Sequence, residues 1–212
     1  MTTISPATIE RMRTCRIIPV ITVKSLDQAL PLANALIAGG ADVLEVTLRT
    51  DCALEAIKQM ADAKLEAFVG AGTITRPSDV DAAAKSGAEF LVTPGTTEEL
   101  RSALKAYDGA VFPGAATVSE ALKLRDEGFA VQKFFPAEAA GGAPFLKSIA
   151  APLPDIRFMP TGGVSPKNAR DYLSLPNVIA VGGSWIVPND LIEAGKWDEI
   201  TALTQASRDA LA

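Results

Sequence analysis

Short runs of β-branched and apolar residues alternate along the chain with longer amphipathic, alanine-rich stretches. The runs are 17–22 (IIPVIT), 42–48 (DVLEVTL), 66–72 (EAFVGAG), 89–93 (EFLVT), 110–114 (AVFPG), 130–136 (AVQKFFP), 156–161 (IRFMPT) and 177–183 (NVIAVGG). Their length and composition predict strands. The stretches near 26–38, 52–62, 78–85, 97–105, 117–127, 143–149, 166–174 and 190–209 predict helices. Strand starts recur every 20 to 26 residues. The phrases AGGADV, KSGAEF, YDGAV and RDEGFAV each place glycine between a helix end and the next strand, where a left-handed residue closes a helix. Eight such units predict an α/β fold, a (β/α)8 TIM barrel filling residues 1–212 as one domain. An open doubly wound sheet is the rival; the even spacing, and the lack of GxGxxG after the first strand, favour the barrel. Residues 5–14 predict an extra N-terminal helix capping its bottom.

Inside a barrel, strand side chains alternate between the interior and the helix layer. In the second run Val43, Glu45, Thr47 and Arg49 share one parity and the apolar Leu44, Val46 and Leu48 the other. The apolar set suits the helices, so Glu45 and Arg49 point inward or rise to the rim. A carboxylate there is costly unless paired. In the sixth run Val131, Lys133 and Phe135 share a parity opposite Gln132 and Phe134. Lys133 is the one lysine in the middle of a predicted strand. Desolvation favours the neutral amine that a Schiff-base nucleophile requires. A structural ion pair with Glu45 is the plainer reading, and the two roles can coexist. Its place near the C-terminal end of a strand, where barrel active sites form, favours chemistry.

The other strand ends carry small residues: Gly70 to Thr73, Thr93 to Thr96, Pro113-Gly114, Thr161-Gly162-Gly163 and Gly182-Gly183-Ser184. Any one of these is ordinary turn chemistry. The pairs after the last two strands stand where barrel enzymes commonly hold a phosphate on backbone amides. Ser165-Pro166 reads as a helix start, and Asp171 and Tyr172 as structural helix residues. Trp185 either lines the mouth or packs the last loop, Trp197 packs, and Glu138 either rims the site or faces solvent.

Composition then narrows the chemistry. The chain has no histidine, which removes imidazole as base, ligand or switch. Cys15 and Cys52 are too few for a disulfide framework or a thiolate zinc site. Glu45, Asp42 and Asp51 do not make a dense ligand set, so no metal site is expected, although composition leaves room for an oxygen-bound ion shared with substrate. Acids number 25 against 20 bases, for a net charge of −5, with no basic block. That excludes the electrostatic footprint of a nucleic-acid partner. No run is apolar enough to span a membrane, and the start MTTISPATIERMRTCR lacks a signal stretch, so a cytoplasmic location is expected.

LEVTLRT (44–50), VGAGT (69–73), TPG (93–95), FPG (112–114), KFFPAE (133–138), PTGG (160–163) and GGSW (182–185), in this order and spacing, resemble the 2-keto-3-deoxy-6-phosphogluconate (KDPG) aldolases, a family also credited with 4-hydroxy-2-oxoglutarate cleavage. The resemblance spans about residues 15–200. It implies a class I, metal-independent lyase without a cofactor, whose covalent imine forms on Lys133 with Glu45 as general acid and base. It further implies that Arg49 and Thr73 hold the substrate carboxylate, that Thr161 lies by the pyruvyl group, and that Phe135 and Pro94 shape the pocket. Gly162, Gly163, Gly183 and Ser184 would take the phosphate. The products would be pyruvate and glyceraldehyde 3-phosphate, and the assembly a homotrimer. Three alternatives remain at this point: an aldolase for the C4-epimeric galactonate substrate, an oxaloacetate decarboxylase, and a non-catalytic sugar-phosphate-binding barrel.

Overall fold

The eight apolar runs become nine short parallel strands in a computed structural model of the chain, which describes residues 4–211. Residues 1–3, the start of the stretch read for an export signal, and residue 212 lie outside the described residues. The strands are β1 (Ile17–Ile21), β2 (Val43–Thr47), β3 (Phe68–Gly72), β4 (Phe90–Val92), β5 (Ala110–Phe112), β6 (Gly114–Ala115), β7 (Val131–Phe134), β8 (Arg157–Pro160) and β9 (Val181–Gly183). The helices are α1 (Pro6–Cys15), α2 (Ala29–Ala38), α3 (Ala53–Asp62), α4 (Pro77–Lys85), α5 (Glu98–Ala106), α6 (Val118–Asp126), α7 (Gly142–Ile149), α8 (Ala169–Leu173), α9 (Asn189–Glu193) and α10 (Trp197–Asp209).

The strands form two curled parallel sheets, ordered β5-β4-β3-β2-β1-β9 and β6-β7-β8. The expected (β/α)8 barrel is present as a curled, parallel α/β arrangement of two arcs, and the interruptions between them have local causes. Pro113 has no N–H to donate, so the fifth run splits into β5 and β6. Its carbonyl instead accepts from the Lys133 N–H at 2.9 Å, tying the first arc to β7. In the eighth run only residues 181–183 are strand. The run meets β8 and the residue that follows it through isolated bridges, Phe158 with Val178 and Thr161 with Gly182.

Side chains sort as the alternation predicts. Phe134 leaves the interior to stack on Phe145 of α7, with ring centroids 5.2 Å apart and planes 4° from parallel. Gln132 also faces the helices, donating to the carbonyls of Ala121 and Phe129, both at 2.9 Å. α2 packs between α10 and α3, and α4 against α5, outside the strands. At the N-terminal end of the strands α1 begins on Ser5, whose hydroxyl accepts from Thr8 N–H at 3.0 Å. It buries Met12 and Cys15, and Arg11 reaches Asp42, just before β2, at 2.8 Å. That is the capping helix expected from the sequence.

The helix-ending glycines take left-handed φ at Gly40 (+87°), Gly87 (+83°) and Gly128 (+96°). Gly109 does not; there glycine makes room for the Tyr107 ring, which a Cβ would meet at 2.4 Å. The Tyr107 hydroxyl donates to the Ala88 carbonyl. Gly195, at φ +64°, breaks the last expected helix into α9 and α10. Ser165-Pro166 leads into α8 through a turn, with Asn168 Oδ1 accepting from Ser165 N–H at 2.8 Å, so the helix starts at Ala169. No described helix is long and apolar enough to cross a membrane.

Candidate active site

Glu45 on β2 and Lys133 on β7 belong to strands in different arcs, yet their side chains meet across the interior. Lys133 Nζ donates to Glu45 Oε1 at 3.3 Å, and the side chains are only 4% and 2% exposed. The interior parity read from the sequence thus places both, and both sequence readings of Lys133, ion pair and buried amine, describe the same contact. Removing one partner would leave a buried charge uncompensated, at a cost of about 3–5 kcal/mol. The Lys133 ammonium also stands 5.3 Å from the centroid of the Phe135 ring, within cation–π range.

The position of the Glu45 carboxylate depends on what β3 lacks. β2 and β3 pair with Thr47 opposite Gly72. A Cβ on Gly72 would fall 2.2 Å from Glu45 Oε1 and 2.7 Å from its Cγ. Glycine is needed here for the space its side chain leaves. Gly72→Ala is expected to displace the carboxylate and lower kcat about 10- to 100-fold, the penalty for misplacing a reacting group by about 1 Å. Steady-state assay beside circular dichroism checks this: a folded variant with unchanged kcat contradicts it.

Past the C-terminal ends of these strands opens a cavity of about 430 Å³, lined by Arg49, Phe135, Thr161, Gly162, Gly163 and Ser184 among others; Glu45 and Lys133 themselves are not in its lining. Phe135 lies two residues beyond Lys133 and Arg49 four beyond Glu45 on the same parities, so the buried pair lies deeper along the strands than these lining residues. Arg49 Nε donates to Thr73 Oγ1 at 3.1 Å, bringing together the two residues assigned to a carboxylate. Thr73 holds a left-handed φ of +61°, uncommon for a β-branched residue and a mark of local strain beside Arg49. The Thr161 hydroxyl lies over Gly182, where a Cβ would come within 2.2 Å of Oγ1.

Three expected binding residues lie outside the lining: Thr73, which is held beside Arg49, and Pro94 and Gly183. Pro94 does not line this cavity; its carbonyl lies against Gly114, whose Cβ would meet it at 2.5 Å. Gly183 is covered by Trp185, so Gly182 rather than Gly183 faces the cavity. Trp185 takes the packing alternative, with Nε1 donating to Ser207 Oγ on α10 at 3.3 Å. The lining also includes Val20, Thr22, Val187, Pro188 and Asn189, which the sequence reading missed. Val20 and Thr22 share a parity at the end of the first run, so the strand-end rule could have found them; the last three lie in a turn and a helix start without periodic signal. Among the described residues no three Cys, Asp or Glu side chains gather into a possible metal-binding group.

Residues 8–203 match the family model for KDPG and KHG aldolase. The KHG/KDPG aldolase of Escherichia coli (strain K12) is 50% identical over 189 residues, 89% of this chain and 89% of its own. A KDPG aldolase from Legionella pneumophila, solved with pyruvate captured at low pH as a covalent carbinolamine intermediate, superposes with a TM-score of 0.91 at 44% identity, covering 96% of this chain and 98% of its own. The Zymomonas mobilis ZM4 enzyme, solved with 3-phosphoglycerate, gives a TM-score of 0.86 at 43% identity over 96% of each chain. With the family model spanning nearly all of the chain and half of 189 aligned residues identical in a named relative, this chain belongs to the KDPG and KHG aldolase family.

Proposed function

We propose that the chain is a class I aldolase that cleaves 2-keto-3-deoxy-6-phosphogluconate to pyruvate and glyceraldehyde 3-phosphate, and that also acts on 4-hydroxy-2-oxoglutarate. The observation that carries this reading is the buried Lys133 amine hydrogen-bonded to Glu45 and set against Phe135, whose ring lines a cavity together with Arg49. The covalent carbinolamine of the Legionella relative supports the amine chemistry, and the 3-phosphoglycerate of the Zymomonas relative supports a phosphorylated ligand.

Lys133 Nζ attacks the C2 ketone, and loss of water gives a protonated imine. The imine withdraws electrons as the C4 hydroxyl is deprotonated and the C3–C4 bond breaks, releasing glyceraldehyde 3-phosphate. The enamine left on Lys133 takes a proton at C3, and hydrolysis frees pyruvate and the amine. Glu45 carries these protons, since it is the one carboxylate bonded to the amine. Arg49 and Thr73 grip the C1 carboxylate, Arg49 through a two-pronged bond that turns C2 toward the amine. Thr161 and Phe135 flank the pyruvyl group. Gly162, Gly163 and Ser184 take the phosphate, with Gly182 in the wall where Gly183 was expected. Binding energy from that remote group serves to orient the reacting carbons.

The same proposal includes a closed (β/α)8 ring, supported by the Phe158–Val178 and Thr161–Gly182 bridges and by the Lys133–Pro113 bond. It also includes a cytoplasmic homotrimer. Assay of pyruvate release from the phosphorylated acid tests the function. Ser184→Ala is expected to raise KM for that substrate about tenfold, the loss of one charge-assisted hydrogen bond, with kcat little changed. Equal turnover of the phosphorylated acid and its unphosphorylated counterpart by the unaltered enzyme would contradict the phosphate assignment.

A further inference from the structure

The Gly162–Gly163 loop has no intrinsic reason to keep its shape. Both residues are left-handed, at φ +99° and +80°, a pair of conformations that glycine enters freely and leaves as freely. What holds the loop lies on the turn after β7 and on α8. Ala137 N–H donates to the Thr161 carbonyl at 2.8 Å, and Glu138 N–H donates to the Gly162 carbonyl at 3.0 Å. The stem of Glu138 rests on the Cα of Gly163, where an added Cβ would meet Glu138 Cγ at 2.5 Å and Cβ at 2.7 Å. From the far side Asn168 Nδ2 donates to the Gly163 carbonyl at 3.2 Å.

The head of Glu138 is fixed separately. The hydroxyl of Tyr172, a fully buried residue of α8, donates to Glu138 Oε1. The same oxygen lies near Gly142 at the start of α7, where a Cβ would stand 3.4 Å away and where helix N–H groups favour negative charge. Burial first, then the carboxylate's hydrogen bond and charge, push the Tyr172 phenol up, so it remains a donor through neutral pH. A carboxylate beside a phosphate site is repulsive, and a glutamate selected for charge would be misplaced here. Its stem supplies the contact with the loop, while tyrosine and α7 hold the charge aside.

We propose that Glu138, anchored by Tyr172, is a positioning residue that sets the Gly162–Gly163 backbone for the substrate phosphate without touching it. This rests on the assignment of those glycines to the phosphate. The test measures kcat and KM with the phosphorylated 2-keto acid and with the same acid lacking phosphate, for Glu138→Ala, Glu138→Gln and Tyr172→Phe, with Ser184→Ala as reference. Glu138→Ala is expected to raise KM for the phosphorylated acid about tenfold, leaving its kcat and the kcat/KM of the unphosphorylated acid within about twofold. Glu138→Gln keeps both the stem and the acceptor and should stay within about twofold of the unaltered enzyme. Tyr172→Phe removes a single oxygen, should raise the same KM about threefold, and decides the matter if Glu138→Ala does not fold. Equal losses on both substrates would reduce the pair to a structural role and overturn the proposal, as would a glutamine variant as impaired as the alanine one. If Ser184→Ala raises KM while Glu138→Ala and Tyr172→Phe do not, the positioning role alone fails. If Ser184→Ala has no effect either, the phosphate assignment fails with it.

Discussion

Lys133→Ala and Lys133→Arg are both expected to abolish cleavage, lowering kcat by about 10⁴-fold or more, because no other group in the site can form the imine. Among the described residues Lys133 is the one buried lysine. The two variants separate chemistry from folding. Alanine leaves Glu45 buried without its partner, so part of its effect will appear as lost stability, about 3–5 kcal/mol. Arginine keeps a cation beside Glu45 but its guanidinium does not condense with a ketone, and it should fold with little activity. Thermal melts and steady-state rates on both variants check this. An arginine variant retaining more than about one per cent of kcat would show that the imine is not the route.

Glu45→Gln is expected to lower kcat about 10²- to 10⁴-fold, the range in which one general acid–base group usually contributes. The amide keeps the shape against Gly72 and can accept a hydrogen bond from Lys133, yet it does not carry a proton between steps. The chain has no histidine to substitute for it. The loss should extend to the half-reaction in which pyruvate alone exchanges its methyl protons with solvent through the enamine. Following that exchange in deuterated water by proton NMR isolates the proton transfer from carbon–carbon cleavage. A glutamine variant slow in cleavage but unimpaired in exchange would move the proton work to another group.

The strands and the reacting pair were legible because both are written in short-range pattern. Alternation alone put Glu45 and Lys133 inside, and Phe134 toward α7, where it stacks on Phe145. Three features depend on contacts that alternation does not encode. The break at Pro113 follows from a missing donor whose effect on the ladder is set by the neighbouring strand. Gly183 and Gly182 are indistinguishable in sequence, and only the fold of Trp185 onto α10 decides which one meets the cavity. Pro188 and Asn189 reach the cavity from the start of α9, where no period marks an inward face.

The most direct test is reduction of the enzyme–pyruvate mixture with borohydride, followed by peptide mass mapping. The predicted result is one pyruvate-derived adduct per chain, on the peptide carrying Lys133, and none in Lys133→Arg. No adduct, or adducts only on exposed lysines such as Lys64 or Lys85, would contradict the Schiff-base account.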